Sequence, residues 1–224
     1  DRLGSTPRYF PAVGALIGAV AALVLWSTSL ALPGPLPVIL STAVTIFMTG
    51  AFHEDGLADT FDGLGGGATR ERALEIMKDS RLGTFGTAAL VLTLLIKIAA
   101  LNALPVTFAI GVLIAGHAFS RACAVTLIFA GTLVSNPELS RSRAVAQPMS
   151  GGELAFAVAI GIAPLYWCGV HAIAGFVCSL IVLYVLARWF MRRLGGFTGD
   201  TLGATQQLTE ITFYLAVLAS WNSI

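Results

Sequence analysis

Hydrophobic and polar positions along this chain fall into long blocks. Runs free of Asp, Glu, Lys and Arg cover Phe10 to Phe52, Leu82 to Ile96, Ile98 to Ser120, Ala122 to Pro137 and Leu154 to Ala187, interrupted only by His117 and His171. A helical membrane span needs about 20 apolar residues, and about 17 suffice where the bilayer thins. Seven hydrophobic segments follow, at about 10–31, 36–52, 84–103, 106–134, 153–169, 171–190 and 205–221. Pro33, Pro35 and Pro37 separate the first two, and Pro105 separates the third from the fourth. Strands of a transmembrane barrel would alternate, and these runs do not. The pattern predicts an all-α fold: one polytopic membrane-embedded bundle of about seven spans, a single domain over residues 1–224. Phe10 to Ala31 is long enough to span and has no clear cleavage site after it, so no signal peptide is expected.

Composition agrees. Charged residues make up 11% of the 224, less than half of the roughly 25% usual in soluble domains. A net charge of +1 argues against a nucleic-acid partner held by electrostatics. Cys123, Cys168 and Cys178 lie inside apolar runs without metal or redox spacing, and read as small packing residues.

Charge placement supplies a topology. With Arg2 and Arg8 on the cytoplasmic side and alternating spans, the segments 53–83 (Arg70, Arg72, Lys78, Arg81), 135–152 (Arg141, Arg143) and 188–204 (Arg188, Arg192, Arg193) fall on that same side. The opposite connections, near 32–35, 104–105 and 170, carry no Lys or Arg. That is a positive-inside pattern. Nearly all the polar chemistry therefore faces one compartment, which suits a membrane enzyme with a one-sided site. A transporter would place polar groups along a path through the midplane.

Three constellations carry that chemistry. In the first, Phe52 to Gly63, four of the twelve acidic residues occupy nine positions. Asp55, Asp59 and Asp62 stand at i, i+4 and i+7, on one helix face. Two carboxylates about 6 Å apart repel by roughly 3 kcal/mol at an effective dielectric of 20, so three call for a cation. A hard divalent ion with oxygen ligands is the natural choice, magnesium (Mg2+) holding a phosphate. The plain alternative is a solvated acidic helix start.

The second constellation runs from Gly63 through a glycine-rich turn to Gly86. Thr69 is placed to cap a short helix from Arg70, and Lys78, Asp79, Ser80 and Arg81 cluster before Gly83. Lys78 and Arg81 would face an anionic substrate with Asp79 joining the metal, or the three would form a solvated helix end. The third is the glycine-rich loop at about 195–204, where Thr198, Gly199, Asp200 and Thr201 lead into a helix start suited to phosphate or to completing a metal site. A plain glycine linker is the alternative there.

Lys97, His117 and Arg121 lie inside spans, where each charge costs a few kcal/mol unless paired or wet. His117 and Arg121 share a face, and Arg121 would bind a phosphate bidentately or pair with an acidic loop residue. His117 reads as a hydrogen-bonded packing histidine, and Lys97 either snorkels or acts. Helical spacing does not decide the role of His53.

The runs His53–Gly63, Arg72–Gly86 and Gly195–Ala204, in that order, resemble the adenosylcobinamide-GDP ribazoletransferase family, also called cobalamin (5′-phosphate) synthase. The likeness extends from Tyr9 to Glu210. It implies that a ribose hydroxyl of α-ribazole, or of its 5′-phosphate, attacks the cobinamide-side phosphorus of adenosylcobinamide-GDP. GMP leaves, and adenosylcobalamin or its 5′-phosphate forms. It also implies a magnesium requirement and a place in the bacterial inner membrane, with the lipid bilayer as surroundings. The assignment that follows has Asp55, Asp59, Asp62 and Asp79 holding magnesium, one of Asp59 and Asp62 serving as base, and Lys78, Arg81 and Arg121 binding phosphates. Thr198, Gly199 and Asp200 would order the second substrate or complete the site.

The acidic run is also similar to the aspartate motif of CDP-alcohol phosphotransferases, but Ala58 is followed by Asp59 where that pattern has Arg. A cation or small-molecule transporter would need acidic residues deep in the spans. Only Glu153 and Glu210 qualify, each expected near the start of its segment. Apolar packing surfaces allow a homo-oligomer without fixing its size.

Overall fold

A computed structural model describes residues 7–134 and 149–223. Arg2, Arg141 and Arg143 lie outside the described residues. The described chain forms nine α-helices: α1 Phe10–Ser29, α2 Leu36–Thr49, α3 Phe52–Gly66, α4 Arg70–Ile76, α5 Thr84–Asn102, α6 Val106–Ala130, α7 Gly151–Ile162, α8 His171–Leu194 and α9 Gly199–Trp221. A 3₁₀ stretch, Ala163–Cys168, extends α7.

Sequence accounts for most boundaries. Pro11 and Pro37 sit in the first turns of α1 and α2, where a missing N–H costs nothing. Thr69 caps α4 by accepting from the Arg72 N–H at 3.2 Å, as its spacing predicted. Ser150 and Glu153 form a reciprocal capping box on α7. Gly195 ends α8 in the left-handed conformation, with φ 77°.

Five helical stretches are long and apolar enough to cross a membrane: 7–29, 84–102, 106–130, 151–168 and 171–194. The pair α2 and α3 is bent by 86°, and counted as one broken span it makes a sixth. The protein is a multi-pass helical membrane protein. The last apolar segment, expected at 205–221, belongs to α9, which begins at Gly199. Because α9 starts so early, Glu210 stands in the middle of its helix, not near the start of its segment.

Lipid supplies little hydrophobic drive between helices, so close packing by small residues matters. Gly14 and Gly18 of α1 lie directly on α6: a Cβ on Gly18 would come 2.7 Å from the Ile114 Cα. The bundle centre is α6, buried along most of its length, against α9, where Phe213, Tyr214 and Val217 are fully buried.

Long-range contacts gather one set of helix ends together. Arg8 pairs with Glu153, joining the starts of α1 and α7. Arg70 Nε donates to the Leu194 carbonyl and Arg193 to that of Gly67, which ties α4 and the end of α3 to the end of α8. Phe197 N–H donates to the Thr132 carbonyl at 2.9 Å, and Val134 N–H to that of Phe197, fastening the loop before α9 to the exit of α6. Gly196 is required in that loop, since any Cβ would strike the Thr132 carbonyl. Of the described Lys and Arg residues, Lys97 and Arg121 stand deep within spans, Arg121 in the half of α6 nearer this charged end.

Candidate functional site

The acidic run is laid across the charged end by a sharp turn. Gly50 and Ala51, at φ 63° and 57°, are both left-handed, and they turn the chain from α2 into α3. Ala51 carries a Cβ there, at a cost of about 1 kcal/mol. The strained residue immediately precedes the acidic helix.

Two glycines then bring α3 against α9. A Cβ on Gly56 would lie 2.8 Å from the Asp200 carbonyl oxygen, and one on Gly203 would lie 3.1 Å from that of His53. With hydrogens at both points the backbones nearly touch, and Asp55 and Asp59 come beside Asp200. The electrostatics report that proximity. Burial pushes the Asp59 carboxyl up to about 7, and the charges of Asp200, Asp55 and Asp62 add to the shift. Asp200 is pushed up to about 6, again by burial first, with Asp55 adding and the hydrogen bond from Thr198 opposing.

Asp62 is placed differently. Its two carboxylate oxygens accept from the backbone N–H groups of Gly83 (2.7 Å) and Gly86 (2.8 Å). A side chain of α3 therefore caps the start of α5, where a negative charge is favourable. The glycines of the Gly83-Thr84-Phe85-Gly86 run make room for it, since a Cβ on Gly86 would strike the Asp62 carboxylate.

Asp79, Lys78 and Arg81 are not brought to this group. Arg81 Nε lies 3.0 Å from both Asp79 oxygens, and its backbone N–H donates to Oδ1 at 3.1 Å. That fork holds the Asp79 carboxyl down, to about 2. Lys78 is exposed. Thr198 is buried and caps α9, exchanging hydrogen bonds with Thr201 through a capping box, while Gly199 opens the helix.

Magnesium is commonly bound through one or two carboxylates and completes its shell with waters and phosphate oxygens. Among the described residues no three His, Cys, Asp or Glu side chains form a closed metal cage. Asp55, Asp59 and Asp200 nevertheless fit such an open site by donor type and by charge. All are hard oxygen donors, they repel one another, and none forms an ion pair among the described residues.

Beside the carboxylates lies a cleft of about 370 Å³, lined on its polar side by His53, Arg121 and Gln206 and floored by Gly199 and Gly203. Arg121 is 5% exposed. Its NH1 donates to the His117 carbonyl at 2.9 Å, and no carboxylate among the described residues pairs with it.

Deeper in the bundle is a buried network that the spacing of residues did not reveal. Lys97 Nζ lies 2.8 Å from Glu210 Oε1, and His117 Nδ1 lies 3.2 Å from Glu210 Oε2. Gln206 donates to Glu210 as well as to Ser120, and Gln207 joins Lys97 to Glu54. Lys97 is thus ion-paired rather than snorkelling. The available signal was Gln206, Gln207 and Glu210 within one turn of a membrane-buried helix.

A membrane-embedded helical bundle that concentrates carboxylates, a buried arginine and a cleft at one end defines a polytopic protein with a one-sided polar site. A sequence profile described as cobalamin-5-phosphate synthase matches residues 1–218, and the chain belongs to that family. It is 44% identical over 223 residues to an adenosylcobinamide-GDP ribazoletransferase of Shewanella frigidimarina, covering 98% of this chain and 85% of that one. A protein of the same name from Shewanella amazonensis is 45% identical, covering 99% of this chain and 87% of its own. One from Vibrio cholerae is 43% identical, covering 98% and 85%. No solved structure matches the chain.

Proposed function

We propose that this protein joins adenosylcobinamide-GDP to α-ribazole or its 5′-phosphate, releasing GMP and forming adenosylcobalamin or its 5′-phosphate. The observation that carries the reading is the meeting of Asp55, Asp59 and Asp200 across α3 and α9, beside a cleft that holds a buried arginine with no carboxylate partner among the described residues. The ribose hydroxyl attacks the corrinoid-side phosphorus. The bond from that phosphorus to the bridging oxygen breaks, and GMP leaves with that oxygen. The hydroxyl proton passes to Asp59, the member of the Asp59/Asp62 pair whose oxygens are not held by the α5 backbone.

Asp55 and Asp200 would hold magnesium, which when bound would supply positive charge to the diphosphate. Lys78 and Arg81, exposed and outside the carboxylate group, would attract the anionic donor from solution. The excess of Lys and Arg at this end supports a cytoplasmic orientation in the bacterial inner membrane.

The test is GMP release from adenosylcobinamide-GDP and α-ribazole by purified protein. Asp55→Asn, Asp59→Asn and Asp200→Asn should each lower the rate by about 10²-fold or more, the scale of a lost general base or charge stabiliser, with insertion in the membrane retained. Full activity in all three variants would sink the proposal, and full activity after exhaustive chelation would remove magnesium from it.

A further inference from the structure

The cleft beside Arg121 has a mixed lining. Its polar members are His53, Arg121 and Gln206; its apolar members include Val13, Ile17, Met48 and Phe52. Val13, Met48 and Phe52 are each about half exposed, which puts them at the rim, whereas Ile17 is buried. An apolar enclosure with a few convergent polar groups is the usual form of a small-molecule site.

Two buried groups there are only partly satisfied among the described residues. Arg121 is 5% exposed, and its only hydrogen bonds among the described residues run to His117, on its own helix. A guanidinium presents five N–H donors in a fork matched to phosphate. Gln206 is 2% exposed, and its Oε1 has no hydrogen-bond partner among the described residues. The amide orientation is set by Glu210, which as a carboxylate accepts from Nε2 and leaves Oε1 unpaired on the other side. The cleft thus offers an anion fork, an acceptor seeking a donor, and an apolar lining.

Size distinguishes the two substrates. A volume of about 370 Å³ takes a nucleoside monophosphate but not a corrin macrocycle with its peripheral amides. We infer that this cleft is the acceptor subsite, distinct from the carboxylate group that handles the diphosphate. The planar benzimidazole of the nucleoside lies against Val13, Met48 and Phe52, and its 5′-phosphate is held by Arg121. The inference rests on the transfer reaction proposed above, and it makes Arg121 the residue that favours the phosphorylated acceptor over the free nucleoside.

The experiment measures kcat and KM for both acceptors and for adenosylcobinamide-GDP in the wild type, Arg121→Gln and Val13→Trp. In Arg121→Gln the preference for α-ribazole 5′-phosphate over α-ribazole, as a ratio of kcat/KM, should fall by roughly 10- to 100-fold, the worth of a charge-assisted pair. The donor KM should move by less than about 3-fold, since the donor makes no contact with the fork. Val13→Trp narrows the rim without touching the buried network and should raise the KM of both acceptors, so it carries the test if Arg121→Gln does not fold. An unchanged acceptor ratio, a donor KM that rises in step, or unchanged acceptor KM in Val13→Trp would overturn the inference. Direct calorimetric binding of α-ribazole 5′-phosphate separates the two readings. Binding that depends on Arg121 without GMP release would overturn the transfer reaction and keep the subsite, whereas GMP release indifferent to Arg121 would do the reverse.

Discussion

Asp59 is partly buried and lies among Asp55, Asp62 and Asp200 without a cation paired to it among the described residues, so burial first and those charges second oppose its ionisation. In the unfolded chain this carboxyl titrates near its ordinary 3.8; in the fold it titrates near 7, and Asp200 near 6. Between those limits the folded protein holds protons that the unfolded chain has released. Stability of the metal-free protein therefore falls as pH rises through about 4 to 7. A bound divalent cation removes the repulsion, so the gain in melting temperature on adding magnesium should be larger at about pH 7.5 than at about pH 5. Asp59→Asn should raise the metal-free melting temperature near neutral pH while abolishing GMP release. Asp62→Asn should lower it, because one of two backbone N–H groups at the start of α5 loses its acceptor, a loss of about 1 kcal/mol. Thermal denaturation in detergent across that pH range checks the contrast, and equal shifts in the two variants would contradict it.

At the scale of elements, the site depends on how closely α3 approaches α9. A methyl at Gly56 would need to stand 2.8 Å from the Asp200 carbonyl oxygen, well inside contact distance, so the helices must separate. Gly56→Ala should cost about 1–3 kcal/mol, the usual penalty of overpacking, and should lower kcat for GMP release by more than it lowers stability-limited yield. Gly203→Ala, with its nearest contact at 3.1 Å, should be the milder change on both measures. Much of this architecture was legible beforehand. The apolar runs marked the spans, Thr69 marked α4, and the spacing of Asp55 and Asp59 marked one face of α3. The exact start of α9 was not legible, because Gly199, Thr201 and Gly203 read as part of a glycine-rich loop leading into a helix, while the capping box and the α3 crossing make them helix. Nor was the cap on α5, since Asp62 and Gly86 are 24 residues apart and only the turn through α4 brings them together.

Across the whole molecule, the most demanding feature is a charge network inside the membrane. Glu210 on α9 is fully buried and meets Lys97 from α5 and His117 from α6, joining three helices at one point. An unpaired charge in this position costs several kcal/mol, so the bundle is stable only when these helices share a common register. The same network reaches the charged end, because Lys97 donates to Gln207 and Gln207 donates to Glu54, the neighbour of Asp55. The core thus steadies the helix that bears the carboxylates. Lys97→Met alone leaves the Glu210 carboxylate without its lysine partner and should destabilise the protein by about 3–5 kcal/mol. Lys97→Met combined with Glu210→Gln removes both charges while keeping an amide for Gln206 and His117, and should recover most of that loss. A double-mutant cycle on thermal stability in detergent measures the coupling. Additive losses in the double variant would show that the pair does not hold the three helices together, whereas recovery of stability without recovery of GMP release would assign the charges to the register of α3 beyond their part in the core.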